Sequence, residues 1–126
     1  MTEYIFIMID KEPRALAHLY ETSNNLLWSH IANLNQIACF DKMRGIYMPL
    51  ISPTPEVLKD IQDICVLQDK LYALTSNVIV ELKMEKNADE IRLTAQPLID
   101  IKTKVLRLYN NEDILCALTV ENQILL

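Results

Sequence analysis

The residues best suited to chemistry lie in the first third of the chain. His18 and Glu21 are three positions apart, so their side chains could share a metal ion if the segment is helical. Metal sites in helical bundles, however, use Glu-x-x-His pairs from two helices together with further glutamates, and here the order is reversed. We therefore interpret His18 and Glu21 as surface residues and predict neither a metal site nor a cofactor.

A small enzyme with a scattered site is an alternative, with His18, His30 and Cys39 as its contributors. His30 adjoins Trp28, which is typical of a histidine at the edge of a core. The chain has three cysteines, too widely spaced for a CxxC ligand pair, and the single glycine excludes a P-loop and a dinucleotide-binding loop. We therefore expect buried thiols and a protein without catalytic chemistry.

The composition indicates one globular domain covering residues 1–126. Hydrophobic residues make up 51% of the chain, which is enough for a core, and the formal net charge is -5. An acidic chain has no surplus of cations to neutralise phosphates, so we expect a protein partner or a homo-oligomer rather than nucleic acid. No apolar stretch is long enough to predict a membrane span, and unpaired cysteines favour the cytoplasm.

Apolar residues recur at steps of three and four along residues 10–45, which predicts a long first helix. Asp10 and Pro13 would begin it, and Gly45 could end it in the left-handed conformation. Thr54 and Pro55 predict the start of a second helix that continues to residue 82, and residues 87–90 resemble a capping box opening a third. Residues 114–126 complete a predicted all-α bundle of about four helices, with a possible short N-terminal strand.

An all-β meander, or a propeller-blade-like repeat, is the alternative fold. Val78, Val80 and Leu82 alternate with charged residues, as they would in a strand. A weak internal repeat with a spacing of 44 residues relates residues 69–82 to residues 113–126, and this period suits either a helical hairpin or a four-stranded blade. We prefer helices because several capping signals coincide with the stripes and because tight hairpins usually need more glycine.

Two apolar segments fall outside the predicted helical stripes, and we take them as candidate interfaces. The first, residues 4–9, alternates like a strand and could pair with a partner; the second, residues 46–51, is an apolar connection next to several prolines. The candidate residues are Tyr4, Phe6, Met8, Ile46, Tyr47, Met48, Leu50 and Ile51. The sequence thus predicts a protein–protein interaction domain that acts as a subunit, adaptor or acidic inhibitor. The alternatives are an immunity- or antitoxin-like blocker of a basic active site and the small enzyme described above.

Overall fold

The described part of the protein is built from β-sheets that are almost entirely antiparallel. The computed structural model describes residues 19–76, 78–101, 103–111, 113–121 and 123–125. In these ranges lie one helical turn, α1 (Pro55–Leu58), a 3-10 turn (Ala32–Leu34) and twelve strands. The strands are β1 (Leu19–Thr22), β2 (Leu26–Ile31), β3 (Gln36–Asp41), β4 (Ile46–Tyr47), β5 (Leu50–Ile51), β6 (Asp63–Leu67), β7 (Lys70–Thr75), β8 (Val78–Lys86), β9 (Ile91–Asp100), β10 (Val105–Asn111), β11 (Ile114–Thr119) and β12 (Gln123–Leu125).

These strands form three sheets, mostly by pairing with their neighbours in the chain. Sheet 1 has the order β1-β2-β3-β4, sheet 2 the order β5-β9-β8-β7-β6, and sheet 3 the order β10-β11-β12. The described pairs are antiparallel except β5 with β9, which is parallel. Strand β6, the first of the meander in sheet 2, contacts both β1 and β10. Sheet 2 therefore lies between the other two.

The predicted all-α bundle is wrong, and the β alternative describes the protein. The helical stripes failed because a spacing of four residues is also a multiple of two, so it keeps residues on one face of a strand as well. Leu27 and Ile31, both assigned to the first helix, are four apart on the same strand β2. In the same way the second stripe runs through β6, β7 and β8 rather than along one helix.

Of the predicted helix starts, the one at Thr54 opens only a single helical turn, and the one at Asn87 belongs to a hairpin turn. Helix α1 does begin at Pro55 after Thr54, yet it ends at Leu58 instead of continuing to residue 82. Asn87 Oδ1 accepts hydrogen bonds from the N–H groups of Asp89 at 2.9 Å and Glu90 at 2.8 Å, which closes the β8–β9 hairpin. Short polar side chains stabilise free N–H groups equally well in turns and at helix ends.

The scarcity of glycine does not prevent tight hairpins here, because other residues adopt the left-handed conformation. Gln68 and Asp69, between β6 and β7, have φ of 51° and 64°. Asn25 joins β1 to β2 with φ of 63°, and Ser76 follows β7 with φ of 44°. Gly45 is left-handed at 68°, as predicted, but it lies in the β3–β4 turn rather than at a helix end.

The repeat of 44 residues extends over all three sheets. Strands β2, β7 and β11 begin at Leu26, Lys70 and Ile114, which are 44 residues apart. The second residue of each strand is a buried leucine, and the fourth is a small buried residue: Leu27, Leu71 and Leu115; Ser29, Ala73 and Ala117. One strand of each sheet therefore has the same pattern of buried residues, which is the behaviour of a structural repeat.

The two faces of sheet 2 are covered by different sheets. One face packs with sheet 1 in a core that contains Leu71, Ala73 and Leu82 together with Trp28 and Cys39. The other face packs with sheet 3 in a second core, in which Leu74 and Ile79 lie with Leu115 and Ala117. Leu115 and Ala117 are the repeat equivalents of Leu71 and Ala73. Apolar burial on both faces thus makes sheet 2 the centre of the molecule.

Polar contacts also tie neighbouring sheets together. The buried carboxylate of Asp41, at the end of β3, lies 3.1 Å from the Lys86 ammonium at the end of β8. Asp69, in the β6–β7 turn, accepts hydrogen bonds from the Ser23 N–H at 2.6 Å and hydroxyl at 2.5 Å. Asp63 of β6 accepts a hydrogen bond from the N–H of Leu108 in β10 at 2.7 Å. These contacts fix the relative positions of the three sheets.

Candidate functional site

An open groove lies along the outer edge of sheet 1, beside β3. Strand β4 pairs only with Phe40 and Asp41, so it covers one end of the six-residue strand β3. The chain then turns away at Pro49 and joins sheet 2 as β5. The groove occupies the space left beside β3, has a volume of 420 Å³, and is lined by Gln36, Ile37, Ala38, Cys39, Tyr47, Met48, Leu50, Pro55, Leu58 and Lys59.

The backbone of β3 presents hydrogen-bonding groups to this groove. The N–H of Met48 donates to the carbonyl of Cys39 at 2.9 Å, and the N–H of Gly45 donates to the carbonyl of Asp41 at 2.8 Å. The backbone groups of alternate residues in a strand point to the same edge, so those of Ile37 point the same way as those of Cys39 and Asp41. Strand β4 ends before it reaches Ile37. The Ile37 N–H and carbonyl therefore face the open groove.

The far end of the groove is closed by the segment after α1. The N–H of Ile61 donates to the carbonyl of Asn35 at 2.8 Å. The Ile61 carbonyl in turn lies 2.7 Å from Nε2 of His30. These contacts hold Ile61, which is completely buried, against the start of β3. The open length of edge is therefore limited to residues 36–38.

The wall of the groove contains the thiol of Cys39. Cys39 is 1% exposed. Its burial, and to a lesser extent the charge of Asp41, raise the pKa of the Cys39 thiol to about 12 although Lys86 opposes the shift. The thiol therefore stays protonated at neutral pH, and thiolate chemistry has no basis at this position.

The other residues considered for chemistry have structural contacts. His30 contacts the Ile61 carbonyl as described above, and Glu21 forms an exposed ion pair with Lys42 at 2.7 Å. Trp28 is fully buried and donates from Nε1 to the Thr22 hydroxyl at 3.2 Å. His18 lies outside the described residues. Among the residues that the structure describes, no three His, Cys, Asp or Glu side chains are grouped so as to hold a metal ion.

The candidate interface residues fall into three groups. Ile46 and Tyr47 are exposed on β4, where the Tyr47 ring packs edge-on against Phe40 with the ring centres 4.9 Å apart. Met48 is buried, while Leu50 and Ile51 are half-buried in β5. Tyr47, Met48 and Leu50 line the groove, so the segment predicted as an interface contributes to its wall. Tyr4, Phe6 and Met8 lie outside the described residues.

A second surface, which the sequence did not indicate, is formed by exposed apolar residues in sheets 2 and 3. We call it the C-terminal apolar surface, and it comprises Leu98, Ile99, Leu106 and Val120; Ile114 is also exposed but pairs with Asn111 at the opposite end of sheet 3. The side chain of Leu98 is 45% exposed. The two consecutive apolar residues at the end of β9 were the available signal, since one of them must lie on the less covered face of the strand.

Comparison of the chain with models of known families, with curated proteins and with solved structures gives no match. No helix in the described part of the chain is long and apolar enough to cross a membrane.

Proposed function

We propose that this chain is a protein–protein interaction domain that acts as a subunit, adaptor or acidic inhibitor. The observation that carries this proposal is the C-terminal apolar surface. Leu106 is 51% exposed and Val120 is 60% exposed, and apolar residues grouped on a surface are typical of binding sites. A partner that covers them would recover the free energy of removing apolar area from water.

The four residues of this surface lie at the same end of sheets 2 and 3. Asp100, the last residue of β9, pairs with the first residue of β8, which places Leu98 and Ile99 at that end of sheet 2. In sheet 3, Val105 at the start of β10 pairs with Thr119 at the end of β11, so Leu106 and Val120 flank that pair. The connection of residues 101–104 joins the two sheets at this end. Their position at a common end of the two sheets supports contact with a single partner.

Charge favours a neutral or basic partner. The net charge of -5 would speed association with a basic surface, and such association weakens as salt screens the charges. Apolar contacts respond much less to salt. The salt dependence of partner binding therefore distinguishes a blocker of a basic active site from a subunit held by its apolar surface.

The proposal is tested by purifying tagged full-length protein from its native source and identifying proteins that remain bound in stoichiometric amounts. We expect a partner with the wild type and at least a tenfold reduction with the Leu106→Ser, Val120→Ser double variant, because loss of central apolar contacts weakens an interface strongly. Met43→Ser is the matched control, since Met43 is 75% exposed but lies in the β3–β4 turn of sheet 1. The control should retain the partner.

Purification of the wild type as a monomer without a partner would contradict the proposal. Retention of the partner by a folded double variant would also contradict it, because the apolar surface would then contribute nothing to binding. Circular dichroism of both variants establishes that they are folded before the comparison is made.

A further inference from the structure

The edge of β3 at residues 36–38, with which no described strand pairs, has the properties of a binding site for a short extended peptide. Two features coincide there: backbone groups directed into open space, and an adjacent apolar groove. We propose that residues 36–38 of β3 bind a peptide by strand addition, with an aliphatic side chain in the groove and an acidic residue beside Lys59. This site is separate from the C-terminal apolar surface, so it extends the proposed function without depending on that surface.

The hydrogen-bonding pattern defines the orientation of the peptide. Strand β4 runs antiparallel to β3, and a peptide continuing along the same edge in the β4 direction would reach Ile37 next. Its central residue would donate to the Ile37 carbonyl and accept from the Ile37 N–H, as in a hydrogen-bonded antiparallel pair. The chain itself does not take this position, because Leu50 pairs with Ile91 of β9 instead. None of the residues that the structure describes takes the position that a longer β4 would occupy.

The contacts at both ends limit the length of the paired segment. At one end Met48 already donates to Cys39, and at the other Ile61 donates to Asn35. The free edge between them is residues 36–38, which corresponds to roughly 10 Å of extended peptide at about 3.3 Å per residue. Only about three peptide residues can pair, so side-chain contacts must supply much of the affinity.

The groove determines which side chain is accepted at the centre. In a directly opposed antiparallel pair both side chains lie on the same face of the sheet, so the central side chain would lie on the face of Ile37. Ile37 belongs to the core between sheets 1 and 2, against which Leu50 and Leu58 pack. Both leucines line the groove, whose volume of 420 Å³ admits a leucine, isoleucine or methionine side chain.

The charge of Lys59 gives the groove a preference for an acidic peptide residue. Of the described residues that line the groove, Lys59 alone is charged, and its side chain is exposed. A carboxylate on the peptide beside this ammonium would gain a local attraction in a protein that is otherwise acidic. The expected ligand therefore has an aliphatic residue flanked by β-branched residues and an acidic residue next to them.

The test uses a fluorescein-labelled, amidated heptapeptide, Ser-Glu-Val-Leu-Val-Glu-Ser, measured by fluorescence anisotropy against the full chain. A matched peptide carries an N-methyl group on the central leucine, which removes the donor to the Ile37 carbonyl but keeps the side chain. We expect the N-methylated peptide to bind at least tenfold more weakly, because strand addition requires that hydrogen bond. Equal affinity of the two peptides, or no binding of the unmodified one at millimolar concentration, would overturn the proposal.

Protein variants and amide exchange locate the peptide. Lys59→Glu should weaken binding at least fivefold, whereas Lys83→Glu makes the same charge change on an exposed residue of β8 outside the groove and should change it less than twofold. Hydrogen exchange of the Ile37 amide should slow when the peptide is added. An unchanged Ile37 exchange rate would refute strand addition. The Leu106→Ser, Val120→Ser variant should bind the peptide normally, so failure here and failure of the proposed function give different results.

Discussion

Replacing Leu71 with alanine tests whether sheet 2 is the centre of one cooperative structure. The side chain is completely buried in the core between sheets 1 and 2. Leucine to alanine removes three carbon groups, worth about 2.4 kcal/mol of transfer free energy at about 0.8 kcal/mol each. A residual cavity of roughly 50 Å³ adds about 1.2 kcal/mol at about 24 cal/mol per Å³. We therefore expect Leu71→Ala to lower the free energy of unfolding by about 3.6 kcal/mol.

Urea denaturation measures this loss with the fluorescence of Trp28, the single tryptophan of the chain, which is buried in sheet 1. Leu98→Ala is the matched control, because Leu98 is 45% exposed and should cost less than about 1 kcal/mol. Since the Trp28 signal reports on sheet 1 whereas Leu71 belongs to sheet 2, a shifted midpoint also shows that the two sheets unfold together. A loss below about 1 kcal/mol for Leu71→Ala, or equal losses for both variants, would refute the packing described here.

Three further predictions follow from the contacts. Burial raises the pKa of the Asp41 carboxyl, but the Lys86 ammonium and the N–H groups of Arg44 and Met43 outweigh burial, so the pKa is lowered from its usual value. The carboxylate therefore stabilises the fold above its unfolded pKa of about 3.9, and this contribution is lost as pH falls through the lower pKa of the folded state. Asp41→Asn should therefore destabilise the protein at neutral pH and flatten the acid limb of a plot of unfolding free energy against pH; an unchanged acid limb contradicts this. Burial also raises the pKa of the Cys65 thiol to about 11, and Cys39 and Cys116 are buried too. A thiol reagent at pH ~8 should therefore label the native protein slowly, and it should label all three cysteines only after denaturation. Rapid labelling of the native protein would be inconsistent with this burial. Gly45→Ala should cost about 1 kcal/mol in urea denaturation, since φ is 68° there and a Cβ atom would meet no neighbour within 4 Å, so that only backbone strain contributes; no measurable loss would contradict it.

The sequence carried more information about the β fold than the helical interpretation used. The repeat of 44 residues, the alternation in residues 78–82 and the left-handed Gly45 all correspond to observed features. The helical stripes did not, because a spacing of four residues satisfies both a helix and a strand. The capping signals misled for a related reason: Asn87 bonds to N–H groups two and three residues on, which occurs both in a helix cap and in a hairpin turn.

The candidate sites were less accessible from the sequence. The segment of residues 46–51 was predicted to be an apolar connection, but it contains an exposed strand, a buried methionine and a half-buried strand. The groove requires β3 and α1 to lie side by side, and it requires β4 to end before Ile37. The spacing of residues along the chain does not indicate that β3 and α1 pack side by side or where β4 ends.

By itself, the sequence determined the acidic charge, the apolar content, the residues able to adopt left-handed turns and the repeat of 44 residues. Tertiary structure decided between helix and strand, because strands bury apolar residues on both faces of sheet 2. This burial outweighs the local preference for helix. It also decided exposure: Leu71 and Leu98 are the same residue type, yet only the first is covered by a neighbouring sheet. Coverage depends on which distant segments pack nearby, and for that reason the groove and the C-terminal apolar surface emerged only from the folded chain.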